Sequence, residues 1–154
     1  MHRHSARRAT AADVPALERL VAAAFEKYVE RIGRPPAPMV HDYRALLDTA
    51  RVWTVDGPDA PVALLVTMPR ADHLLLDTIA VSPAAQGGGY GTALLDRAEA
   101  DARELGLPEI RLYTNVAMTE NLTFYPRHGY VETGRGRADG YERVFYTKRL
   151  ATRM

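Results

Sequence analysis

The chain is 154 residues long and 47% hydrophobic, with 20 Lys and Arg against 19 Asp and Glu and a net charge of +1. That size suits a single domain over residues 1–154, burying roughly 70% of the surface its unfolded chain exposes, and the absence of cysteine removes disulfides, thiolate metal sites and a cysteine nucleophile together. No apolar run of about 18 residues offers a membrane span, polar residues follow Met1-His2-Arg3-His4-Ser5 where a secretory signal would be apolar, and no basic stripe with interleaved aromatics marks a nucleic-acid surface, so a cytoplasmic protein with neither nucleic-acid nor membrane partners is expected.

In chain order, Ser5–Ala9 reads as a short strand, and Thr10-Ala11-Ala12-Asp13 as a capping box with Asp in place of Glu. A helix follows, with Val14, Leu17, Leu20, Val21, Ala24, Phe25 and Tyr28 at helical spacing. Three prolines and a glycine make Glu30–Met39 irregular, and a second short helix is predicted over His41–Thr49. Strands at Arg51–Asp56 and Pro61–Pro69 flank the turn Gly57-Pro58-Asp59, and a turn over Arg70–His73 leads into the strand Leu74–Val81. A helix from Tyr90 buries Leu94, Leu95, Ala98, Ala102 and Leu105 and stops at Gly106 and Pro108. The series closes with strand Glu109–Thr114, helix Ala117–Tyr125, strand Tyr130–Thr133, a loop over Arg135–Gly140 and strand Arg143–Leu150. Such an order implies an α/β fold, a mixed sheet in one layer flanked by helices.

Between the strand Leu74–Val81 and the helix from Tyr90 lies Gln86-Gly87-Gly88-Gly89-Tyr90-Gly91-Thr92. A helix N-terminus leaves backbone N–H groups unpartnered and carries the positive end of the dipole, while glycines let a ligand approach the main chain. The ligand expected there is an anion, a diphosphate above all. A nucleotide P-loop needs Lys and Ser/Thr after its last Gly, and no Lys occurs between Lys27 and Lys148. The dinucleotide spacing G-x-G-x-x-G fails too, because Gly87-x-Gly89 leads to Thr92 and Gly89-x-Gly91 to Leu94. What remains is Gln-x-x-Gly-x-Gly at Gln86, Gly89 and Gly91.

This pattern, after a strand ending Ala80-Val81-Ser82-Pro83, resembles the acetyl-CoA motif of the GNAT superfamily of N-acetyltransferases. The likeness extends downstream through Asn121, Tyr125 and Gly129-Tyr130, and upstream through "RRATAADVPALERLVAAAF". It implies a mostly antiparallel sheet in which Leu74–Val81 and Glu109–Thr114 splay apart into a wedge for the pantetheine arm. It implies acetyl-CoA as co-substrate with no metal, the diphosphate held from Gly87 through Gly88, Gly89, Tyr90 and Gly91 to Thr92 beside Gln86, and the arm along Ile79 and Val81. A backbone N–H of Ala80 or Val81 would face the thioester oxygen.

Amine acylation also needs a proton acceptor and a proton donor for the sulfur. Asp77 interrupts the apolar strand "LLLDTIAV", two residues before Ile79 and so on the same face, as base, ammonium binder or structural hydrogen-bond acceptor. Tyr125 is the expected proton donor, with Asn121 one turn before it on the same helical face, on the cofactor. Pro126 disfavours helical geometry at Tyr125 and would re-aim it, and Asn115 is expected to cap the helix start. The five histidines show no metal-ligand spacing: His2 and His4 are expected to be disordered, and surface roles are expected for the others. Tyr28, Arg31, Arg34 and Met39 surround the proline-rich segment and are the acceptor candidates, the arginines for a carboxylate. The expected function is acetyl transfer from acetyl-CoA to the primary amine of a small molecule in a ternary complex, by a monomer or homodimer; a CoA-binding sensor and a protein acetyltransferase are the alternatives.

Overall fold

A computed structural model describes residues 5–151, and His2 and His4 lie outside that range. Seven strands, β1 (Arg7–Arg8), β2 (Arg51–Asp56), β3 (Pro61–Pro69), β4 (Leu74–Val81), β5 (Glu109–Asn115), β6 (Val131–Ala138) and β7 (Tyr141–Arg149), form one sheet in the order β1-β2-β3-β4-β5-β7-β6. Only β4 and β5 run parallel; every other neighbouring pair is antiparallel. The parallel step is the one that needs a helical crossover, supplied by α3 (Tyr90–Glu104).

The two faces carry separate cores. Helices α1 (Val14–Ile32) and α2 (Tyr43–Thr49) cover one, where Leu17, Val21 and Phe25 meet Val52, Leu64, Val66 and Ala80. α3 and α4 (Asn121–Arg127) cover the other, where Leu94, Leu95 and Ala98 meet Leu65, Leu76 and Ile110. Strand alternation explains the split, since Ala63 and Leu65 face α3 while Leu64 and Val66 face α1.

Several elements depart from sequence expectation. α1 runs on to Ile32 before Gly33 closes it at φ +86°, its N–H bonded to Val29 O at 2.8 Å, and Ala37–Val40 adds a 3₁₀ turn, so Glu30–Met39 is largely regular. Leu105 is 38% exposed, because it follows the last turn of α3 rather than lying on its buried face. The segment expected as a loop over Arg135–Gly140 is mostly strand. β6 extends to Ala138 and turns into β7 at Asp139-Gly140, whose positive φ values of 54° and 82° make the mirror-type turn that matches strand twist. Asn115 Oδ1 accepts the Ala117 N–H at 2.9 Å, but it bends the chain rather than capping a helix, and α4 begins only at Asn121.

Asp101 fixes α3 to the sheet. Its fully buried carboxylate accepts from Arg51 Nη1 (3.1 Å), Trp53 Nε1 (2.8 Å), Thr67 Oγ1 (3.0 Å) and Arg97 Nη2 (3.1 Å). Removing one partner of such a cluster strands buried donors, which costs about 3–5 kcal/mol. Asp101→Ala is therefore expected to lower unfolding stability in urea by an amount in that range, whereas Glu104→Ala, at a side chain 58% exposed, changes it by less than about 1 kcal/mol.

Candidate active site

β4 pairs with β5 only at Leu74↔Ile110 and Leu75↔Arg111. Beyond Leu75 the strands diverge, leaving the β5-facing edge of β4 open as far as Val81. The divergence coincides with a bulge. β3 matches Thr67 to Leu76 and Val66 to Thr78, so Asp77 has no partner residue. Unbroken alternation from Leu74 and Leu76 would put Ala80 against α3; instead Ala80 packs with α1, and Ile79 and Val81 lie against the α3 core. The face shared by Asp77 and Ile79 in an ideal strand is therefore lost. Asp77, its side chain 6% exposed, accepts from Thr78 Oγ1 at 2.8 Å and meets His41 Nε2 at 2.8 Å.

At the end of β4 a 3₁₀ turn over Pro83–Ala85 leads to the glycines. Gly87 and Gly89 both adopt left-handed φ, at 86° and 84°, and the first helical bond of α3 is Ala93 N–H to Gly89 O at 3.1 Å. The N–H groups of Gly91 and Thr92 in the first turn thus have no helical acceptor and point out of the helix end. Gly88 differs from its neighbours: its N–H bonds Ala85 O at 3.2 Å, and it is absent from the groove wall. A Cβ on Gly91 would lie 3.0 Å from the Phe124 ring, so this glycine also admits α4 to the helix end. Gln86 Nε2 donates to Val81 O at 3.3 Å and closes the turn onto β4.

A groove runs from this cradle along β4. Its walls are Ile79, Ala80 and Val81 on the sheet side, Gln86, Gly87, Gly89, Tyr90, Gly91 and Thr92 at the helix end, and Tyr28, Asn121 and Phe124 opposite. Arg127 and His128 line the same groove, and Lys27 there pairs with Glu120 at 3.2 Å. His128 is tied in place, Nδ1 to Phe124 O at 2.8 Å and Nε2 to Thr92 Oγ1 at 3.1 Å. An open strand edge beside a helix N-terminus fits the amide arm and diphosphate of an acyl-CoA.

Behind the wedge lies a cavity lined by His41, Asp77, Tyr113, Tyr125, Tyr141 and Arg143 and roofed by Pro36, Ala37 and Pro38. Cavity and groove share Phe25, Ile79, Met118 and Asn121, which mark the place where they meet. Tyr43 Oη donates to Pro38 O at 2.6 Å and Tyr141 Oη to Pro35 O at 2.7 Å, so the roof is anchored at both ends. Asn121 Nδ2 donates to Thr114 Oγ1 at 2.9 Å, holding the start of α4 on β5. Tyr125 lies inside the last turns of α4 despite Pro126, and its backbone carbonyl accepts the N–H groups of His128 (3.0 Å) and Tyr130 (3.1 Å). Pro126 sits near the helix end, where its missing N–H removes a single bond. Burial pushes the Tyr125 phenol well above its usual range, keeping it a protonated donor at neutral pH.

The acceptor candidates from the sequence are placed otherwise. Tyr28 is buried on the groove side, Arg31 binds Glu120 through two nitrogens at 2.7 and 3.2 Å, Arg34 stacks 4.1 Å above the Tyr141 ring, and Met39 packs beneath α1; none of the four lines the cavity. The cavity residues missed by sequence reasoning are His41, Tyr113, Tyr141 and Arg143. His41 is not a surface residue, since it is 25% exposed and paired with Asp77. Tyr141 fell between the expected loop and the expected strand, although Asp139-Gly140 is a strong hairpin signal, and Arg143 was read within the strand Arg143–Leu150 without the register that turns it to the cavity.

A strand-edge wedge fed by a glycine-rich helix start defines an acyl-CoA-dependent acyl transferase. Residues 16–130 match the model of the acetyltransferase (GNAT) family, and this chain belongs to that family as an acyl-CoA-dependent acetyltransferase. It is 32% identical over 132 residues to an amino-acid acetyltransferase of Mycobacterium tuberculosis, covering 82% of this chain and 67% of that protein. Its fold is shared with the ribosomal-protein-S18-alanine N-acetyltransferase of Escherichia coli (TM-score 0.77, 18% identity, 97% of this chain and 96% of that one). It is shared also with the PaiA N-acetyltransferase of Thermoplasma acidophilum in complex with coenzyme A (TM-score 0.75, 15% identity, 95% and 98%).

Gly89→Val is expected to raise the calorimetric Kd for CoA by at least about tenfold. A branched residue is strained at a φ of 84° and intrudes where the diphosphate approaches. Unchanged affinity in the folded variant would remove the cradle from the glycine turn.

Proposed function

We propose that the chain transfers an acetyl group from acetyl-CoA to the primary amine of a small molecule by direct attack in a ternary complex. The observation that carries this reading is the meeting of groove and cavity at Phe25, Ile79, Met118 and Asn121, with Pro36–Pro38 walling one side of the cavity. A roof anchored by two tyrosine hydroxyls favours a compact acceptor over a protein chain. The small-molecule class named for the Mycobacterium tuberculosis relative supports the same choice.

Acetyl-CoA supplies a thioester whose C–S bond breaks as the C–N bond forms. The chain's own residues handle the protons and charge. An alkylammonium, with a reference pKa near 10, must lose a proton before it attacks, and a free carboxylate of reference pKa about 3.9 is a poor acceptor for it. The contact between His41 and Asp77 offers a better arrangement. A carboxylate only accepts hydrogen bonds, so Nε2–H of His41 donates to Asp77 and leaves Nδ1 as the base. Asp77 thereby positions the imidazole, while main-chain N–H groups on the open edge of β4 face the charge developing on the thioester oxygen. Tyr125, buried beside the junction, gives its proton to the departing sulfur.

Thiol release from acetyl-CoA over a panel of amino acids, polyamines and peptides tests the reading. A catalytic transferase turns over with small amines, a CoA sensor turns over with none, and a protein acetyltransferase prefers the peptides. His41→Gln is expected to lower kcat/KM for the acceptor by about 10²–10⁴, with Kd for CoA unchanged. Asp77→Asn should lower the same parameter, and the double variant should be little worse than either single one. Wild-type acceptor kinetics in His41→Gln would return the base role to Asp77.

Tyr125→Phe removes the donor hydroxyl alone. A lower kcat with nearly unchanged Kd for CoA is expected, and a smaller defect with acyl donors whose leaving thiols are more acidic. Full kcat, with acyl transfer rate-limiting, would leave Tyr125 as a packing aromatic.

A further inference from the structure

Arg143 is paired in register with Asn115, on the sheet face that turns away from the α3 core. Alternation along β7 puts Val144 and Tyr146 in that core and leaves Tyr141 and Arg143 on the cavity side. The guanidinium lies 4.0 Å from the centre of the Tyr113 ring, and its side chain is 11% exposed. Among the described residues its one ion pair is a single contact of 3.4 Å with Asp139, a turn residue whose side chain is 82% exposed. A carboxylate so fully in water compensates a covered cation weakly. Other covered arginines are better matched: Arg97, 26% exposed, reaches both Asp101 and Glu104. Arg143 therefore holds a planar fork of donors inside the cavity with little to receive them.

The opposite charge lines the same cavity, where Asp77 stands with His41 and Arg143 with Tyr113. Burial pushes the Tyr113 phenol up, the charge of Asp77 pushes it further, and Arg143 pulls it back, so the ring feels both charges. The lining thus offers a carboxylate and an imidazole to an ammonium group and a guanidinium to an anion.

We infer that Arg143 receives a carboxylate of the acceptor, so that the acceptor is an amine that also bears a carboxylate, in the manner of an amino acid. The inference rests on the transferase reading above and on the cavity as its acceptor site. Arg31 and Arg34, expected from the sequence to do this work, do not line the cavity, and Arg31 is paired with Glu120.

The test uses matched acceptors: a panel of L-amino acids, their carboxamides and the amines lacking the carboxyl group, assayed by thiol release with wild type, Arg143→Gln and Arg143→Lys. In wild type the carboxylated member of each set should be favoured in kcat/KM on the order of 10²-fold, carried by KM, since a charge-assisted bidentate contact is lost in the others. In Arg143→Gln that ratio should collapse toward one, and Arg143→Lys, a point charge without the fork, should fall between. A wild-type enzyme indifferent to the carboxylate, or a ratio unchanged in Arg143→Gln, overturns the inference. If no amine of any kind releases thiol, the transferase reading fails, and titration of the CoA-loaded protein with the same panel decides the carboxylate site separately. Binding of amino acids over their amides that is lost in Arg143→Gln supports it, and no discrimination refutes it.

Discussion

The parting of β4 from β5 after two residue pairs is the constraint on which the rest of this molecule depends. Were the two strands paired along their whole length, no edge would be open to an amide arm and no space would exist behind it for an acceptor. The parting is built into β4 by the extra residue at Asp77, which twists the strand and reverses the side-chain alternation beyond it. One insertion thus does three things: it opens the edge, sends Ala80 to the α1 core, and turns a carboxylate toward the start of α2.

Such a wedge would be of little use if its wall could move. The cradle sits at the N-terminal end of α3, and the opposite half of that helix is bolted to β2 and β3 through the buried carboxylate of Asp101. The placement of the cradle is thus set by the apolar seam of Leu94, Leu95 and Ala98 together with polar contacts at the far end of the helix. Across the groove, Lys27 and Arg31 from α1 hold Glu120 at the entry to α4, at 3.2 and 2.7 Å. Arg31 first, helped by Lys27, draws the Glu120 carboxyl down to about 2, so the tie stays ionised throughout the neutral range.

Much of this was legible in the sequence because local chemistry dictates it. The glycine run could only be a strand-to-helix turn with an exposed helix end, and the apolar spacing of α1 and α3 left no other period. Asp77 announced itself as a charge within an apolar strand. Its partner could not be read, because His41 lies 36 positions away in a segment broken by prolines, and only the tertiary fold joins them. The same limit applies to Arg143. An arginine in a strand gives no sign of whether it faces water or a cavity until the register with β5 is known, and the arginines nearest the prolines drew attention instead. The bulge was invisible for a similar reason: nothing in "LLLDTIAV" counts the residues of β3 against which it will be laid.

The roof of the cavity is held by two tyrosine hydroxyls, one from α2 and one from β7, and both end on main-chain carbonyls of residues 35 and 38. Every residue type offers the same carbonyl oxygen. The anchorage is therefore indifferent to which side chains the roof carries, and the wall that an acceptor meets can be rewritten by substitution while its attachment to the scaffold stays the same. Part of the proposed acceptor wall is in this way mutationally uncoupled from the scaffold: the wedge, the glycine turn and Arg143 belong to the sheet and α3, and beside them lies a short span of chain whose side chains can change without loosening its attachment.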